Sequence, residues 1–360
     1  MAAQHDALNL SQGFPDFDPD PVLIDLVSHA MRDGFNQYAS LRGVLRLRER
    51  ISAMVNAQHD THYDPETEIT LTVGASEGIF NALNAFVHAD DEVIVLKPAY
   101  DVYEPIIRLQ GAKPVTVQLK PPYDQMDWEA VKTAITPKTR MIVINTPHNP
   151  SGMVLAKKDM QKLEELVKGT DILILSDEVY EFMAFDDREH ESAARFPELA
   201  ERSLIFGSFG KTFHVTGWKM GYCLAPKNLM KEFRKLHQLN VFCVHHPTQQ
   251  ALVKYLEKPE RYLELSAFYQ SKRDLFLDLI KDSRFAFTPT QGTYFQLLDY
   301  SKITEESDMA FAERLTKEKG IASIPVSVFN VDGRDDKLLR FCFAKSDDTL
   351  KKAAEILNGI

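Results

Sequence analysis

Four short stretches in the middle of this chain each end on residues able to do chemistry. Arg140–Ile144 (RMIVI) runs into Asn145 and Asn149, and Ile172–Leu175 (ILIL) runs into Ser176, Asp177 and Tyr180. Ser203–Phe206 (SLIF) runs into Ser208, Gly210 and Lys211, and Thr70–Val73 into Gly74-Ala75-Ser76. These ends offer an amide, a carboxylate with a phenol, a hydroxyl with an amine, and a helix start. Ligands of open parallel sheets gather at the carboxyl ends of the strands. Free N–H groups at a helix start attract anions. Each group also has a plain structural reading. Asp177 could cap a helix, Lys211 could be a solvated lysine, and Gly74-Ala75-Ser76 could simply open a helix. Their convergence favours chemistry.

The inventory suits pyridoxal phosphate. That cofactor needs an amine to bond its aldehyde and a carboxylate for its pyridine nitrogen. It also needs donors for its phenolic oxygen, an anion site and an aromatic face. Lys211 supplies the amine and Asp177 the carboxylate. Tyr180 with Asn149 supplies the donors. Ser76, Ser208 and Lys219 supply the anion site, and Tyr100 the ring.

The elements around these residues alternate short strands and helices, the pattern of a parallel α/β protein. Strands are expected at Glu92–Leu96 and Lys113–Leu119, and helices at Gly78–Val87, Asp127–Ile135 and Lys157–Lys168. The last hundred residues read differently. A long helical run at Pro259–Lys281 is followed by strands at Tyr294–Leu298, Ile321–Pro325 and Leu338–Phe343, with a helix at Ser307–Lys319. The expectation is a mostly parallel central sheet flanked by helices, with a smaller α+β domain. A large domain is placed at 36–258, and a small one at 1–35 plus 259–360.

The chain has 360 residues, about two domains by length. Apolar residues are 44% and charged residues 26%, which excludes a disordered or fibrous chain. The net charge of -10 and the lack of a basic tract argue against nucleic acid or an anionic membrane as partner. Cys223, Cys243 and Cys342 form neither a disulfide framework nor a CxxC pair. His245 and His246 are adjacent and lack ligand spacing, so no metal is expected. The amino terminus carries no basic-then-apolar leader pattern, and no apolar run reaches spanning length. A cytoplasmic location follows as an expectation.

The chain resembles the class I and II aminotransferases over nearly its whole length. Ser208-Phe-Gly-Lys-Thr-Phe-His-Val-Thr-Gly-Trp-Lys-Met-Gly221 is similar to their lysine signature, S-x-[GAS]-K followed by G-x-[RK]-x-G. NTPHNPSG (145–152) resembles their N-x-P-x-N-P-x-G motif, and SDEVY (176–180) their D-E-x-Y motif. NLSQGFPDF (9–17), NQY (36–38) and LRFCF (339–343) match the terminal pieces, all in family order. Within the family the chain looks most like the branch of kynurenine, glutamine–phenylpyruvate and bacterial methionine aminotransferases. His148 stands where the kynurenine enzymes commonly carry Asn, and marks the branch.

The resemblance implies a fold type I pyridoxal-phosphate enzyme that passes an amino group from an amino acid to a 2-oxo acid. It makes Lys211, Asp177 and Tyr180 the catalytic residues. Ala75, Ser76, Ser208 and Lys219 would hold the phosphate. Tyr38 would reach in from the neighbouring subunit of a homodimer. Lys219 stands where many relatives carry Arg, so the phosphate meets a point charge here, not a bidentate fork. Arg340 would bind the substrate α-carboxylate, helped by Gly13 and Asn149; its plain reading is a strand-edge ion pair. Phe14, Tyr38, Tyr103 and Phe329 are expected to line the mouth, though core packing is the plain reading of any single one. Such a lining favours methionine, with phenylalanine, tyrosine, histidine, glutamine and kynurenine also fitting. Arg42 could receive a dicarboxylate but reads more plainly as a solvated arginine at a helix start. A β-lyase acting on cysteine conjugates or cystathionine is the alternative reaction on the same residues. A regulator built on the fold would need a DNA-binding extension, and none is visible.

Overall fold

The computed structural model describes all 360 residues, Met1–Ile360. A two-residue strand, β1 (Leu8–Asn9), precedes the seven strands of the central sheet. These are β2 (Ile69–Thr72), β3 (Glu92–Lys97), β4 (Lys113–Gln118), β5 (Thr139–Asn145), β6 (Leu173–Asp177), β7 (Ser203–Ser208) and β8 (Gly221–Leu224). Their order across the sheet is β2-β8-β7-β6-β5-β3-β4. Strands β3 to β7 pair in parallel, whereas β8 is antiparallel to both β2 and β7. Strands β6 and β7 are buried at every position, because apolar helices and loops cover both faces of the sheet. The expected α/β architecture with a mostly parallel sheet is therefore observed.

One consequence positions the site. Strands β2, β5, β6 and β7 run in the same direction, so Thr72, Asn145, Asp177 and Ser208 end along one edge. The register sets Asn145 opposite Asp177 and Ser208 opposite Gly221.

Beyond β8 lie β9 (Phe295–Asp299), β10 (Ile321–Ala322), β11 (Ile324–Pro325) and β12 (Leu338–Cys342). The single strand expected at Ile321–Pro325 is two. β10 pairs in parallel with β1, while β11 joins β12 and β9 in a three-stranded antiparallel sheet. Ser323 is the residue at which the chain changes sheets. The helical run expected from Pro259 breaks at Glu264 into Glu260–Leu263 and Leu265–Ile280. The helix expected at Ser307–Lys319 is α-helical only over Asp308–Arg314, then widens into a π-turn that stops at Gly320 (φ 72). Strand β8 had no counterpart in the sequence reading. Its four residues (GYCL) are too short to show a period, and the sheet recruits them. No helix is long and apolar enough to cross a membrane.

Candidate active site

Strand β7 delivers Lys211 through a one-turn helix, Phe209–Thr212. The Lys211 amine is half-buried at the cavity and donates to the Gly13 carbonyl at 3.2 Å and to Tyr294 Oη at 3.0 Å. Burial lowers its pKa to about 8, a range useful for a general base. Asp177 closes β6. Its Oδ2 accepts from Tyr103 Oη at 2.6 Å and its Oδ1 from the Val179 N–H at 3.4 Å. Burial pushes this carboxyl up to about 6, against the pull of the Tyr103 hydrogen bond. Tyr180 follows within one turn, and burial raises its phenol.

A cavity of about 220 Å³ opens at these strand ends. Lys211, Asp177, Tyr180 and Asn149 line it, with Tyr100, Ala75, Ser76, Ser208 and Lys219. Nine of the residues anticipated from sequence thus share one space. The helix Gly74–Phe86 begins at this cavity, four residues earlier than its apolar run suggested, and no side chain caps it. Its glycine start (φ 68) explains the difference, since a left-handed first residue is natural only for glycine. A Cβ on Gly74 would lie 3.3 Å from Lys219 Nζ, and one on Gly221 would lie 3.0 Å from Ala75 N. Bare backbone here lets the lysine amine and the helix N–H groups face the same volume. With the hydroxyls of Ser76 and Ser208 alongside, this arrangement has the donors and charge to hold a phosphate. The residues present fit pyridoxal phosphate.

Arg340 comes from β12 and crosses to the loop after β5. Its Nη1 donates to Asn149 Oδ1 at 2.7 Å, and its Nη2 to the Ser11 carbonyl at 3.2 Å. A guanidinium only donates, so it fixes the oxygen of Asn149 and leaves that amide's NH2 for other acceptors. The guanidinium lies 4.0 Å from the Phe295 ring and 5.0 Å from the Phe329 ring. Its Nε is buried with no partner. A buried, unpaired donor on a held guanidinium suits an incoming carboxylate.

The other anticipated residues do not line this cavity. Gly13 touches the site through its carbonyl, and a Cβ on it would strike the Phe295 ring at 2.6 Å. Tyr103 requires correction as a mouth residue: it is 2% exposed and lies beneath the cavity as the partner of Asp177. The short helix Tyr103–Leu109 turns it inward. Phe329 is buried against Arg340. Phe14 is partly exposed, with Lys345 Nζ 4.9 Å above its ring. Tyr38 is 81% exposed and packs edge-on against Phe242, away from the cavity of its own chain. Arg42 is paired with Glu66 at 2.9 Å on the surface.

Two residues of the site carried no assigned role. Asn145 bridges strands: its Nδ2 donates to the Asp177 carbonyl and its Oδ1 accepts from the Asn149 N–H, each at 2.8 Å. Its place at the end of an apolar strand was the available signal. Tyr294 reaches Lys211 from just before β9; a phenol entering a buried strand was the only hint. Behind Asp177, Glu178 accepts from Ser176 Oγ at 2.6 Å and from the Ala193 N–H at 3.0 Å. It also pairs with His190 Nε2 at 2.8 Å. This network anchors the strand end that carries the carboxylate.

Comparison with known proteins agrees with this geometry. The family model for aminotransferase class I and II matches residues 5–357. The chain is 43% identical to the methionine aminotransferase of Escherichia coli (strain K12), over 100% of this chain and 94% of the relative. It is 35% identical to the Homo sapiens kynurenine–oxoglutarate transaminase 3, over 100% and 86%. The crystal structure of Escherichia coli YbdL, described there as having a methionine aminotransferase function, superposes with a TM-score of 0.98. It is 43% identical, covering 100% of this chain and 94% of that one.

Proposed function

The chain belongs to the class I and II aminotransferases, and on that premise we propose that Lys211, Asp177, Tyr180, Asn149 and Arg340 transfer an amino group from a methionine-like donor to a 2-oxo acid. The protein is a pyridoxal-phosphate-dependent aminotransferase with the fold type I architecture. The observation that carries the residue assignment is one cavity holding the Lys211 amine, the Asp177 carboxylate and Asn149 of the Arg340 pair, beside an anion cradle.

Pyridoxal phosphate, when bound, supplies an aldehyde carbon for the amino group and a ring that withdraws electrons from the substrate Cα. Lys211 Nζ takes the proton from that Cα and returns it on the far side of the transferred nitrogen. Its pKa, lowered to about 8, leaves about a tenth of the amine unprotonated at pH 7, far more than an unburied lysine would have. Asp177 would hold positive charge on the pyridine nitrogen. Tyr180 and the Asn149 amide would donate to the phenolic oxygen, and Tyr100 would cover the ring face. Ala75, Ser76, Ser208 and Lys219 would hold the phosphate. Arg340 would take the substrate carboxylate, with Gly13 packed close.

Phe295 and Phe329 pack against Arg340, which supports an apolar or thioether donor at the carboxylate-binding end. The methionine enzyme among the relatives supports the same choice. Arg42 is engaged by Glu66, which gives a dicarboxylate no free partner there. Proteins of this family are typically dimeric. Tyr38, exposed beside Phe242 and not lining the cavity of its own chain, is assigned to the phosphate of a second copy. The division into 36–258 and 1–35 plus 259–360 draws support from the β1–β10 pairing, which joins both chain ends. Three unpaired cysteines, two of them buried, support a reducing, cytoplasmic setting.

The test is a panel of amino donors against several 2-oxo acids. Methionine should lead, with aromatic donors behind it. Lys211→Ala should abolish turnover while leaving the fold intact. Ammonia release without any 2-oxo acid would redirect the reading to a β-lyase.

A further inference from the structure

We propose that Tyr294 is a positioning residue for Lys211: its hydroxyl, anchored on the Gly13 carbonyl, aims the amine at the substrate Cα. The inference rests on the reading of Lys211 as the proton-transferring base. Tyr294 Oη donates to the Gly13 carbonyl at 2.6 Å, so its lone pairs are what it offers to Lys211 Nζ, 3.0 Å away. The Gly13 carbonyl accepts from the same amine at 3.2 Å. Amine, phenol and carbonyl thus close a triangle.

A neutral amine has two N–H bonds and one lone pair. When both N–H bonds are spent on these two acceptors, the direction of the lone pair is set. The proton leaves the substrate Cα for that lone pair, and the C–H electron pair stays with the substrate. The ammonium so formed carries the new N–H where the lone pair was, ready to give the proton back. Without Tyr294 Oη, one N–H loses its acceptor and the amine rotates about its last bond. Proton transfer depends steeply on such alignment.

The phenol is itself held. Tyr294 is fully buried, with its ring edge-on to Tyr180 at 5.2 Å and to Phe295 at 4.9 Å. Charged and titratable groups facing Lys211 are Asp177 from β6 and Tyr180 just after it, with its ring 5.8 Å from the amine, Lys219 from the loop before β8, and Arg340 with Cys342 from β12. A neutral acceptor such as Tyr294 Oη favours the ammonium over the amine, so its removal should let the amine lose its proton at lower pH. Tyr269 provides a control. It is buried, its ring centroid is 5.6 Å from that of Tyr294, and its hydroxyl has no partner.

The experiment compares Tyr294→Phe, Tyr269→Phe and wild type, all loaded with pyridoxal phosphate. It follows the first half-reaction with L-methionine and with Cα-deuterated L-methionine across pH. Tyr294→Phe should keep the cofactor absorbance and the methionine KM, and lose about tenfold in rate, the scale of one hydrogen bond. Its deuterium isotope effect should grow, and its acid limb should move to lower pH. Tyr269→Phe should match wild type in all of these. Replacing Tyr294 by 3-fluorotyrosine keeps the hydroxyl and the fold but weakens the oxygen as acceptor, and should give a partial loss with the same direction of pH shift. Wild-type rate, isotope effect and pH profile in both Tyr294 variants would overturn the inference. So would equal effects from Tyr269→Phe, because the role would then be packing. A Lys211→Ala variant that turns over normally would sink the reading of Lys211 itself. An inactive Lys211→Ala beside unaltered Tyr294 variants removes only the role of Tyr294.

Discussion

Arg340 Nη1 donates to Asn149 Oδ1 at 2.7 Å, joining β12 to the loop that follows β5. The two residues lie 191 positions apart. One contact therefore orients both the residue assigned to the substrate carboxylate and an amide assigned to the cofactor.

That coupling is measurable. Arg340→Ala and Asn149→Ala should each raise the KM for donor and acceptor, Arg340→Ala by 100-fold or more, on the scale of about 3 kcal/mol. In a double-mutant cycle on kcat/KM, the two losses should fall short of additivity by about 1–3 kcal/mol. Strict additivity would mean that the pair works independently.

Tyr103 should matter through Asp177. The hydrogen bond at 2.6 Å favours the ionised carboxyl, while burial opposes it. Tyr103→Phe removes the favourable part, so the Asp177 pKa rises further above about 6. Activity should then fall on the acid side, with the acid limb moving to higher pH. Affinity for pyridoxal phosphate should drop by about tenfold or more, since a hydrogen bond to a charged group contributes about 1.5–3 kcal/mol. A pH–rate profile and a cofactor titration test both. An unmoved limb counts against the role.

Glu178 and His190 make a buried pair whose stability should depend on pH in a set direction. Burial alone would push the carboxyl up and the imidazole down; the pairing overrides it, lowering Glu178 and raising His190. The Glu178 share is present above the ordinary carboxylate range and is lost as pH falls through its lowered pKa. The His190 share is full below the ordinary imidazole pKa and fades as pH rises through its raised one. The pair should therefore stabilise most between about pH 4.5 and 6.5. The thermal midpoint of wild type minus that of Glu178→Gln, plotted against pH, should peak there. A flat difference would refute the linkage.

Tyr38 can be tested by complementation. A Lys211→Ala chain still carries Tyr38, and a Tyr38→Ala chain still carries Lys211. If each active site draws Tyr38 from the second copy, unfolding and refolding the two inactive or weakened variants together should restore activity above either parent. In a two-fold dimer one site of the mixed pair is then fully native. No gain on mixing would place Tyr38 outside the site.

Much of the site was legible because its residues occupy the ends of short apolar strands, where neighbouring residue types report their own surroundings. Asp177, Tyr180, Asn149, Ser208 and Lys211 all have this local signature. Tyr103 misled, since a tyrosine three residues after Tyr100 reads equally well as mouth lining or core. Tyr294 carried almost no signal: its partners Lys211 and Gly13 lie 83 and 281 residues away. The split of Ile321–Pro325 between two sheets was hidden likewise, because both halves are apolar and extended.

By itself, then, the sequence determined the alternation of strands and helices, the chemical inventory and the order of the motifs. Those follow from local periodicity and from residue types at strand ends. Only the tertiary structure decided which phenol meets Asp177, which meets Lys211, and that Arg340 holds Asn149. Hydrogen bonds of about 3 Å between distant segments depend on how sheets and loops pack, and no local pattern encodes that packing.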